Sequence, residues 1–479
     1  MSQSFWLRPS RPRTVLAGVI AALLAAVGLA ACGGNSSVST KTTPPANTQM
    51  VTTVGDTPMA NILSAQVTIS AVNAINSDGQ QVSLLATPRT VELSALGGIH
   101  EPLVLNTVAE GTYTGVSVTA TAARVTYLDT SNQVQLATAI MAGGGSSATA
   151  TYTFPTPLDA DASTGVDLRL DFNLAQSFDL SGTTVTFTPT ITAAGASIAN
   201  DTDDDLYVRA AGIVTAISSS SITLTMFDSG AAITFAINSQ TNFEGSETAS
   251  SIQPGAAVWV HGQIQSGGTY LATEIEACDS GAKFGGASFN AGGSGHVIAV
   301  TDSSGQLSSF QMVTFTNFQT GEIGRTVTVN VSSTTTYYVN HRATKAGLTA
   351  FDASQIFSGE VVTYFGTSSD NGITVAALGV RPAAQTLQGS LATTITGTSP
   401  DLSFGLQPDA LSIFELLTHA TSVTIDANAN TRFGGSLATT GLTGVTTTTP
   451  LETRGFLQQS TSLLAVGYTQ YALRVASPN

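Results

Sequence analysis

The chain has 479 residues and a formal net charge of −15, with 42% hydrophobic and only 10% charged residues. So acidic a chain is repelled by nucleic acid phosphates, which argues against nucleic acid as a partner, and its three lysines are too few for a polybasic membrane patch. The length provides several hydrophobic cores at roughly 100 to 200 residues per domain, which predicts a multi-domain protein.

The N-terminus has the composition of a secretory signal peptide. Arg8, Arg11 and Arg13 precede an uncharged apolar run over 15–31, and no acidic residue occurs before Cys32. A retained membrane helix is the alternative, because the run approaches the roughly 17 to 25 residues of a membrane span. Small residues directly before Cys32 and polar residues directly after it favour the cleaved peptide.

The sequence Leu29-Ala30-Ala31-Cys32 resembles the lipobox of bacterial lipoproteins. The resemblance implies that residues 1–31 are removed and that Cys32 is the lipid attachment site, where a diacylglycerol thioether and a further acyl chain such as palmitate anchor the protein in a membrane. Gly33 stands where an aspartate favours inner-membrane retention in Gram-negative lipoproteins, so the resemblance implies the outer membrane. Residues 32–50 are rich in Ser, Thr, Asn and Pro, which predicts a flexible tether.

Residues 51–199 predict a β-sandwich domain. Apolar residues alternate with Thr and Ser in short runs, and Ser77-Asp78-Gly79 is typical of a hairpin turn. Seven or more short strands in such a segment suggest two packed sheets. The clearest strands are predicted at 90–93, 116–127, 148–154, 166–172 and 185–191.

This segment resembles a domain family of bacterial envelope lipoproteins whose function is unknown. The resemblance depends on the residues from Gly55 to Pro58, from Gly111 to Thr114 and from Phe187 to Ile191. It implies an immunoglobulin- or transthyretin-like sandwich and no activity.

Three internal repeats follow the acidic stretch at 201–205. Their glycines recur: Gly212, Gly295 and Gly389 each open a β-like run, and Gly255 to Gly262 and Gly359 to Gly366 enclose alternating strands at the same interval. Glycines beside short strands suit a small barrel, where a tight bend or a close backbone approach excludes a Cβ. The repeats are predicted at 206–278, 293–382 and 385–478, and the first two are separated by a Gly-rich linker at 279–292.

The repeats resemble a second uncharacterised family of small β-barrel modules, similar in outline to the OB-fold. The predicted fold class is therefore all-β, with a sandwich followed by three OB-like barrels that extend away from the tether. OB-like barrels often bind nucleic acid, but the acidic balance and the missing basic groove argue against that use here. A short helix at 410–419 is the predicted exception, with Leu411, Phe414 and Leu417 packed on the third barrel.

The sequence contains no clear catalytic motif. A nucleophile elbow needs glycine on both sides of a serine, and the segments around Ser294 and Ser436 lack the last glycine. Once Cys32 carries lipid, Cys278 has no partner for a disulfide or a metal cluster. The five histidines are scattered, without the short spacing of a transition-metal site, and His261 is predicted to be exposed or at a barrel rim. No catalytic residue, metal ligand or cofactor is predicted.

Two acidic patterns allow a functional alternative. Asp201, Asp203 and Asp205 match the first three ligand positions of a calcium loop, but Leu206 replaces its glycine and Gly212 its glutamate, which favours a solvated linker. Asp167, Arg169 and Asp171 share one face of a strand. Two acids about 13 Å apart along a strand are too distant for a glycosidase pair, so ion pairing on a wet sheet face is the prediction.

The only tryptophan after Cys32 is Trp259, and Tyr337 and Tyr338 are adjacent on a predicted strand. An exposed aromatic side chain stacks on sugars, whereas a buried one belongs to a core or an interface.

The function predicted is a non-enzymatic, lipid-anchored envelope protein that presents binding, adhesive or scaffolding domains. The alternatives are a polysaccharide-binding accessory protein and, third, a hydrolase, so that the membrane, envelope proteins and polysaccharide are the partners considered.

Overall fold

The computed structural model describes residues 46–57, 61–182, 184–198, 207–244, 248–277, 289–318, 322–431, 433–434, 437–447 and 449–459, together with the backbone of 464–475; at 207 and 438–439 it also describes the backbone alone. The structure is 59% strand and 7% helix, which confirms the all-β prediction. None of its helices has the length and apolarity needed to span a bilayer.

The N-terminal domain consists of two sheets around one hydrophobic core. The alternation in strand β2 explains how a sheet contributes to this core. Val67, Ile69 and Val72 are fully buried, while the Thr and Ser between them are not. One sheet has the order β12-β9-β1-β5, and the other runs β10-β11-β7-β6-β2-β3, with β4 paired to β2 and β8 to β6. The strands are β1 (Asn47–Thr57), β2 (Ile62–Asn76), β3 (Gln81–Ser83), β4 (Arg89–Glu92), β5 (Glu101–Ala109), β6 (Gly111–Leu128), β7 (Val134–Met141), β8 (Ala148–Ala160), β9 (Val166–Asn173), β10 (Phe178–Asp179), β11 (Thr186–Phe187) and β12 (Ile191–Ser197).

The first strand begins at Asn47, inside the segment predicted as a tether. Asn47 pairs with Ala109 of β5, and Met50 is fully buried in the sandwich core. Backbone pairing with β5 orders the polar residues 47–49, although their composition alone does not favour a strand, and β9 pairs with the other side of β1 from Met50 onward. The predicted hairpin turn is present, with Gly79 at a φ of +76° between β2 and β3.

Three small barrels follow, and each is closed by a parallel pairing, β15 with β18, β21 with β24 and β28 with β30. In every barrel the first strand pairs with two neighbours, as β13 does with β14 and β17. The strands of barrel 1 are β13 (Tyr207–Ile217), β14 (Ser221–Met226), β15 (Ala232–Ala236), β16 (Asn242–Phe243), β17 (Ala257–Gln265) and β18 (Thr269–Ala277). Those of barrel 2 are β19 (Ala291–Ser303), β20 (Gln306–Asn317), β21 (Thr326–Asn330), β22 (Thr336–Tyr337), β23 (Val361–Thr367) and β24 (Thr374–Pro382). Those of barrel 3 are β25 (Gln385–Leu391), β26 (Thr396–Thr398), β27 (Asp401–Pro408), β28 (Val423–Ala427), β29 (Pro450–Gln459) and β30 (Leu464–Val475).

The first glycine of each repeat lies where two strands approach most closely. A Cβ at Gly212 would overlap the carbonyl oxygen of Thr225, and Gly295 and Gly389 lie in the same way against the carbonyls of Val313 and Gln407. The turn glycines of the two intervals, Gly255 and Gly359, have φ values of +95° and +96°. The first glycine therefore marks a backbone geometry that recurs in all three barrels, and the turn glycine marks one that recurs in barrels 1 and 2.

We expect Gly295→Ala to lower the free energy of unfolding by about 1 to 3 kcal/mol, because the new methyl group forces β19 away from β20. Urea unfolding followed by fluorescence measures the change. Gly182→Ala is the matched control, since the nearest atom to its Cβ would be the Thr184 oxygen at an ordinary 3.5 Å. Equal stability of the two variants would contradict the close-approach explanation.

Short helices connect the strands: α1 (Leu174–Ser177), α2 (His341–Lys345), α3 (Ile413–Thr418) and α4 (Leu437–Thr440), with 3₁₀ turns at Leu93–Leu96, Ala142–Gly144 and Ala353–Gln355. The helix predicted at 410–419 is α3, which is shorter. Ser412 caps its first turn, and Leu411 lies outside it with a φ of +71°, exposed to solvent. Phe414 packs into the core of barrel 3 as predicted.

The sandwich and the barrels form one compact unit, Pro45–Asn479, and not an extended row. Leu63 and Leu128 of the sandwich pack with Val313 of barrel 2 and Ile413 of barrel 3. Thr126 also donates a 2.7 Å hydrogen bond to the Gly324 carbonyl. Alternation within a strand cannot show such packing, because it reports which residues share a face and not what covers that face.

Candidate functional site

A loop of the sandwich reaches all three barrels. We call residues 92–101, which lead from β4 to β5, the junction loop. Its shape is fixed by Glu92, whose carboxylate accepts hydrogen bonds from Ser64 Oγ at 2.8 Å, the Ala65 amide at 2.8 Å and the Ser94 amide at 3.2 Å. Burial nevertheless raises the pKa of Glu92 to about 7, because desolvation outweighs these bonds.

The junction loop is held by arginines from two barrels. Arg209 of barrel 1 donates from Nη2 to the Ala95 carbonyl at 3.0 Å, and Arg454 of barrel 3 donates from Nη1 to the Gly97 carbonyl at 2.8 Å. Barrel 2 contributes Phe315 and Val361, which pack against the Ala95 side chain. The loop therefore fixes the sandwich relative to each barrel.

Barrels 1 and 2 are joined by buried ion pairs. Arg381 Nη2 lies 2.7 Å from Glu276 Oε1, and Arg342 Nε lies 2.8 Å from Glu274 Oε2. Asn340 Nδ2 donates to the second oxygen of Glu276 at 3.4 Å. All four charged side chains are less than a tenth exposed, so removing one partner leaves a buried charge uncompensated.

Trp259 lies in the same interface and not on the surface. It is 6% exposed and packs edge-on against Phe318, with ring centroids 4.8 Å apart. The Arg381 guanidinium carbon lies 5.0 Å from the centre of its ring. Tyr337 and Tyr338 are both half-buried. The tryptophan considered for sugar stacking is thus an interface residue, and it does not form an aromatic platform.

We expect the intrinsic emission of Trp259, measured in the chain from Cys32 to Asn479, to be blue-shifted and weakly quenched by iodide, because its ring is shielded by Phe318 and Arg381. Fluorescence titration of the folded chain measures both quantities, with the urea-unfolded chain as the control. Strong quenching in the folded state would show that barrels 1 and 2 separate in solution.

A cleft of about 180 Å³ opens beside the junction loop, between the sandwich and barrels 2 and 3. Its lining includes Asp56, His296, Gln385, Arg209 and Arg454. Burial and the neighbouring Asp171 raise the pKa of Asp56 well above its usual range, and burial lowers the pKa of His296 to about 4. Both groups are therefore neutral over a wide range of pH.

A second cavity, of about 60 Å³, adjoins this cleft. The two share Arg209, Phe315, Ala384 and Arg454 in their linings. We call the second one the arginine cavity, because its wall carries four guanidinium groups, Arg209, Arg342, Arg381 and Arg454.

Sequence reasoning missed these four arginines. Arg209, Arg381 and Arg454 are isolated basic residues in strands, and Arg342 lies in the short helix α2. Their convergence depends on how the barrels pack, which no local pattern records. The usable signal was their rarity, since only ten arginines follow Cys32.

The wet sheet face predicted for Asp167, Arg169 and Asp171 is wrong. Asp167 and Arg169 are buried, with 3.5 Å between Asp167 Oδ2 and Arg169 Nε. The other end of this row is more open, where Asp171 Oδ1 lies 3.5 Å from His100 Nε2. Barrel 1 covers the strand, because Val51 of the adjacent β1 belongs to the barrel core. Ion pairing is present, but it occurs inside a domain interface.

His261, which was predicted to be exposed or at a barrel rim, is half-buried. His261 lines the arginine cavity, and burial together with the four arginines lowers its pKa well below the usual range. The remaining histidines stay apart, and in the described part of the chain no three His, Cys, Asp or Glu side chains are placed to hold a metal ion. Cys32, Asp201, Asp203, Asp205 and Cys278 lie outside the described residues.

Comparison with known proteins finds two families. Residues 47–189 match a domain of unknown function, DUF4382, and residues 211–276 match a second one, DUF5666. The chain carries two uncharacterised domains. The first match covers most of the sandwich, and the second lies within barrel 1. No curated protein sequence matches the chain.

Among solved structures, the chain is similar to Drosophila Unr CSD456. The alignment covers 55% of this chain and 97% of that one, at 8% identity and a TM-score of 0.13. A likeness at this level carries no argument about fold or ligand.

Proposed function

We propose that this protein is a lipid-anchored envelope protein, attached through Cys32 to the outer membrane, that acts by binding and scaffolding and not by catalysis. The observation that carries the proposal is the fixed arrangement of its domains, in which the junction loop meets Arg209 of barrel 1, Ala95 packs on barrel 2 and Gly97 meets Arg454 of barrel 3. A scaffold must hold its surfaces at set positions, and this network supplies that rigidity.

The chemistry of the cleft supports binding over hydrolysis. The Ser94 hydroxyl donates a hydrogen bond to the Glu92 carboxylate, and Ser412 Oγ accepts a hydrogen bond from the Glu415 amide at the start of α3. Both serines therefore stabilise local structure, Ser94 by donating to the carboxylate that fixes the junction loop and Ser412 by capping α3. The buried position of Trp259 likewise weakens the case for polysaccharide binding at that residue.

The anchor is tested by metabolic labelling with an alkyne analogue of palmitate. The wild-type chain is expected to keep the label on a denaturing gel and to sediment with the outer membrane, while Cys32→Ala loses both properties. Cys278→Ala is the matched control and retains them, because the resemblance to a lipobox concerns Cys32 alone. An unlabelled wild type, or equal labelling of Cys32→Ala, would overturn the proposed anchoring.

A further inference from the structure

An apolar groove separates strand β5 of the sandwich from strand β15 of barrel 1. Its volume is about 530 Å³, and we call it the β5 groove. Most of its lining is apolar, including Pro102, Leu103 and Leu105 from the sandwich and Ile233 and Tyr270 from barrel 1. Leu105 is 44% exposed, so the groove presents apolar surface to water, which is unfavourable unless something covers it.

A single charged side chain lies in this apolar lining. Among the described residues of the β5 groove, Arg89 alone carries a charge. Its Nε is shielded from water, and the described residues offer that nitrogen no hydrogen-bond acceptor. A buried donor without a partner is costly, so the site favours a ligand that brings an acceptor of negative charge.

The hydroxyl groups of the lining are engaged with their neighbours. Thr234 Oγ1 lies 2.9 Å from Thr223 Oγ1, and Ser221 Oγ lies 3.2 Å from Ser218 Oγ. Arg89 is therefore the polar anchor of the groove. A long apolar wall with one unpaired cation matches a ligand that has an apolar chain and one anionic head. A guanidinium group fits a carboxylate through paired hydrogen bonds.

Two other occupants fit these observations less well. A peptide strand added to the edge of β5 would need backbone donors, and Pro102 has no N–H to offer in the part of β5 that lines the groove. The acyl chains proposed for Cys32 are joined by ester and amide bonds, so they bring no negative charge to Arg89. A free carboxylate satisfies both the apolar wall and the cation.

We propose that the β5 groove binds one free long-chain fatty acid, with its carboxylate on Arg89 and its chain against the apolar side chains of β5 and β15. This goes beyond the proposed scaffolding function and does not depend on lipid attachment. The site lies between two domains, so a bound fatty acid stabilises their folded arrangement in addition.

The test uses the chain from Cys32 to Asn479 carrying Cys32→Ser, so that no attached acyl chain competes. Calorimetric titration with decanoate and with dodecanoate, both below their micelle concentrations, is expected to give one saturable site per chain. Each added methylene group should tighten binding about fourfold. Decanol, which has the chain without the charge, should bind at least tenfold more weakly than decanoate. Absence of a saturable site, or equal binding of decanol and decanoate, would overturn the proposal.

An arginine variant separates the site from general charge effects. Arg89→Gln is expected to weaken dodecanoate binding at least tenfold and to leave the binding of decanol unchanged, because only the charged head loses its partner. Arg325→Gln, which changes an arginine paired with Glu322 in barrel 2, is the matched control and binds as wild type. Equal losses in the two variants would refute the site.

A second variant fills the groove and keeps the test decisive if Arg89→Gln fails to fold. Ala232 is an exposed residue of β15 in the lining, so Ala232→Phe is expected to remove dodecanoate binding without loss of folding. Ala376→Phe changes an exposed alanine of β24 in barrel 2 and is the matched control. Wild-type binding by Ala232→Phe would place the ligand elsewhere. A wild-type dimer that Ala232→Phe converts to a monomer in sedimentation would show that a second copy fills the groove, and it would also overturn the proposal.

Discussion

Arg381→Ala is expected to lower the free energy of unfolding by about 3 to 5 kcal/mol, because it leaves Glu276 buried without its partner. The same change removes the cation over the Trp259 ring. We therefore expect a red-shifted tryptophan emission at urea concentrations where wild type is still folded. Urea unfolding followed by fluorescence and by far-ultraviolet circular dichroism measures both effects.

Two controls distinguish loss of this pair from loss of an arginine as such. Arg325→Ala removes a surface pair and should cost less than about 1 kcal/mol. The double variant Arg381→Met with Glu276→Met should recover most of the stability, because well-packed apolar residues replace a buried ion pair at little cost. A single variant as stable as Arg325→Ala would show that the pair does not join the barrels.

The sequence allowed the all-β fold class to be predicted where local geometry decides it. The glycines at 212, 295 and 389 are required by close strand approach, and the alternation of Thr with Val or Ile follows from the two faces of a sheet. Both constraints act within a few residues of the chain or between neighbouring strands. They were therefore visible as a repeated pattern.

The candidate site depends on packing between domains, and here the predictions failed. Asp167 and His261 lie on strands whose alternation indicated a solvated face, yet Asp167 is fully buried and His261 is half-buried. The polar residues at 47–49 were assigned to the tether because composition does not reveal that β5 and β9 border β1. Burial of a charge is decided by distant segments, and periodicity contains no information about them.

We expect the protein to be most stable in mildly acidic solution and to lose stability between pH 5 and pH 8. Burial raises the pKa of Glu92 from 4.5 to about 7, and it raises the pKa values of Asp56, Glu101 and Glu360 well above their usual range. Such groups hold protons in the folded chain that they release in the unfolded chain. Their stabilising contribution is therefore present below pH 4.5 and is lost as the pH rises towards their folded pKa values.

Two half-buried histidines oppose this trend only in part. Burial lowers the pKa values of His261 and His296, so the unfolded chain binds protons that the folded chain does not. Their effect increases stability with pH, but only up to about their ordinary pKa of 6.5. Because the four buried acids outnumber the two histidines, the free energy of unfolding decreases from pH 5 to 6.5. Above pH 6.5 only the acids contribute to the decrease.

Glu92→Gln tests how much of the pH dependence of the free energy of unfolding comes from Glu92. Between pH 5 and pH 8, Glu92 alone should account for a decrease of about 2 to 3 kcal/mol in the free energy of unfolding. The variant is expected to flatten the pH dependence by that amount, whatever its absolute stability. Asp129→Asn is the control, because hydrogen bonds lower the pKa of this exposed carboxyl and confine its effect to pH values below 5. A wild-type chain that gains stability from pH 5 to pH 8 would show that water or a counter-charge reaches the junction loop, because only a hydrated or paired Glu92 would ionise without cost.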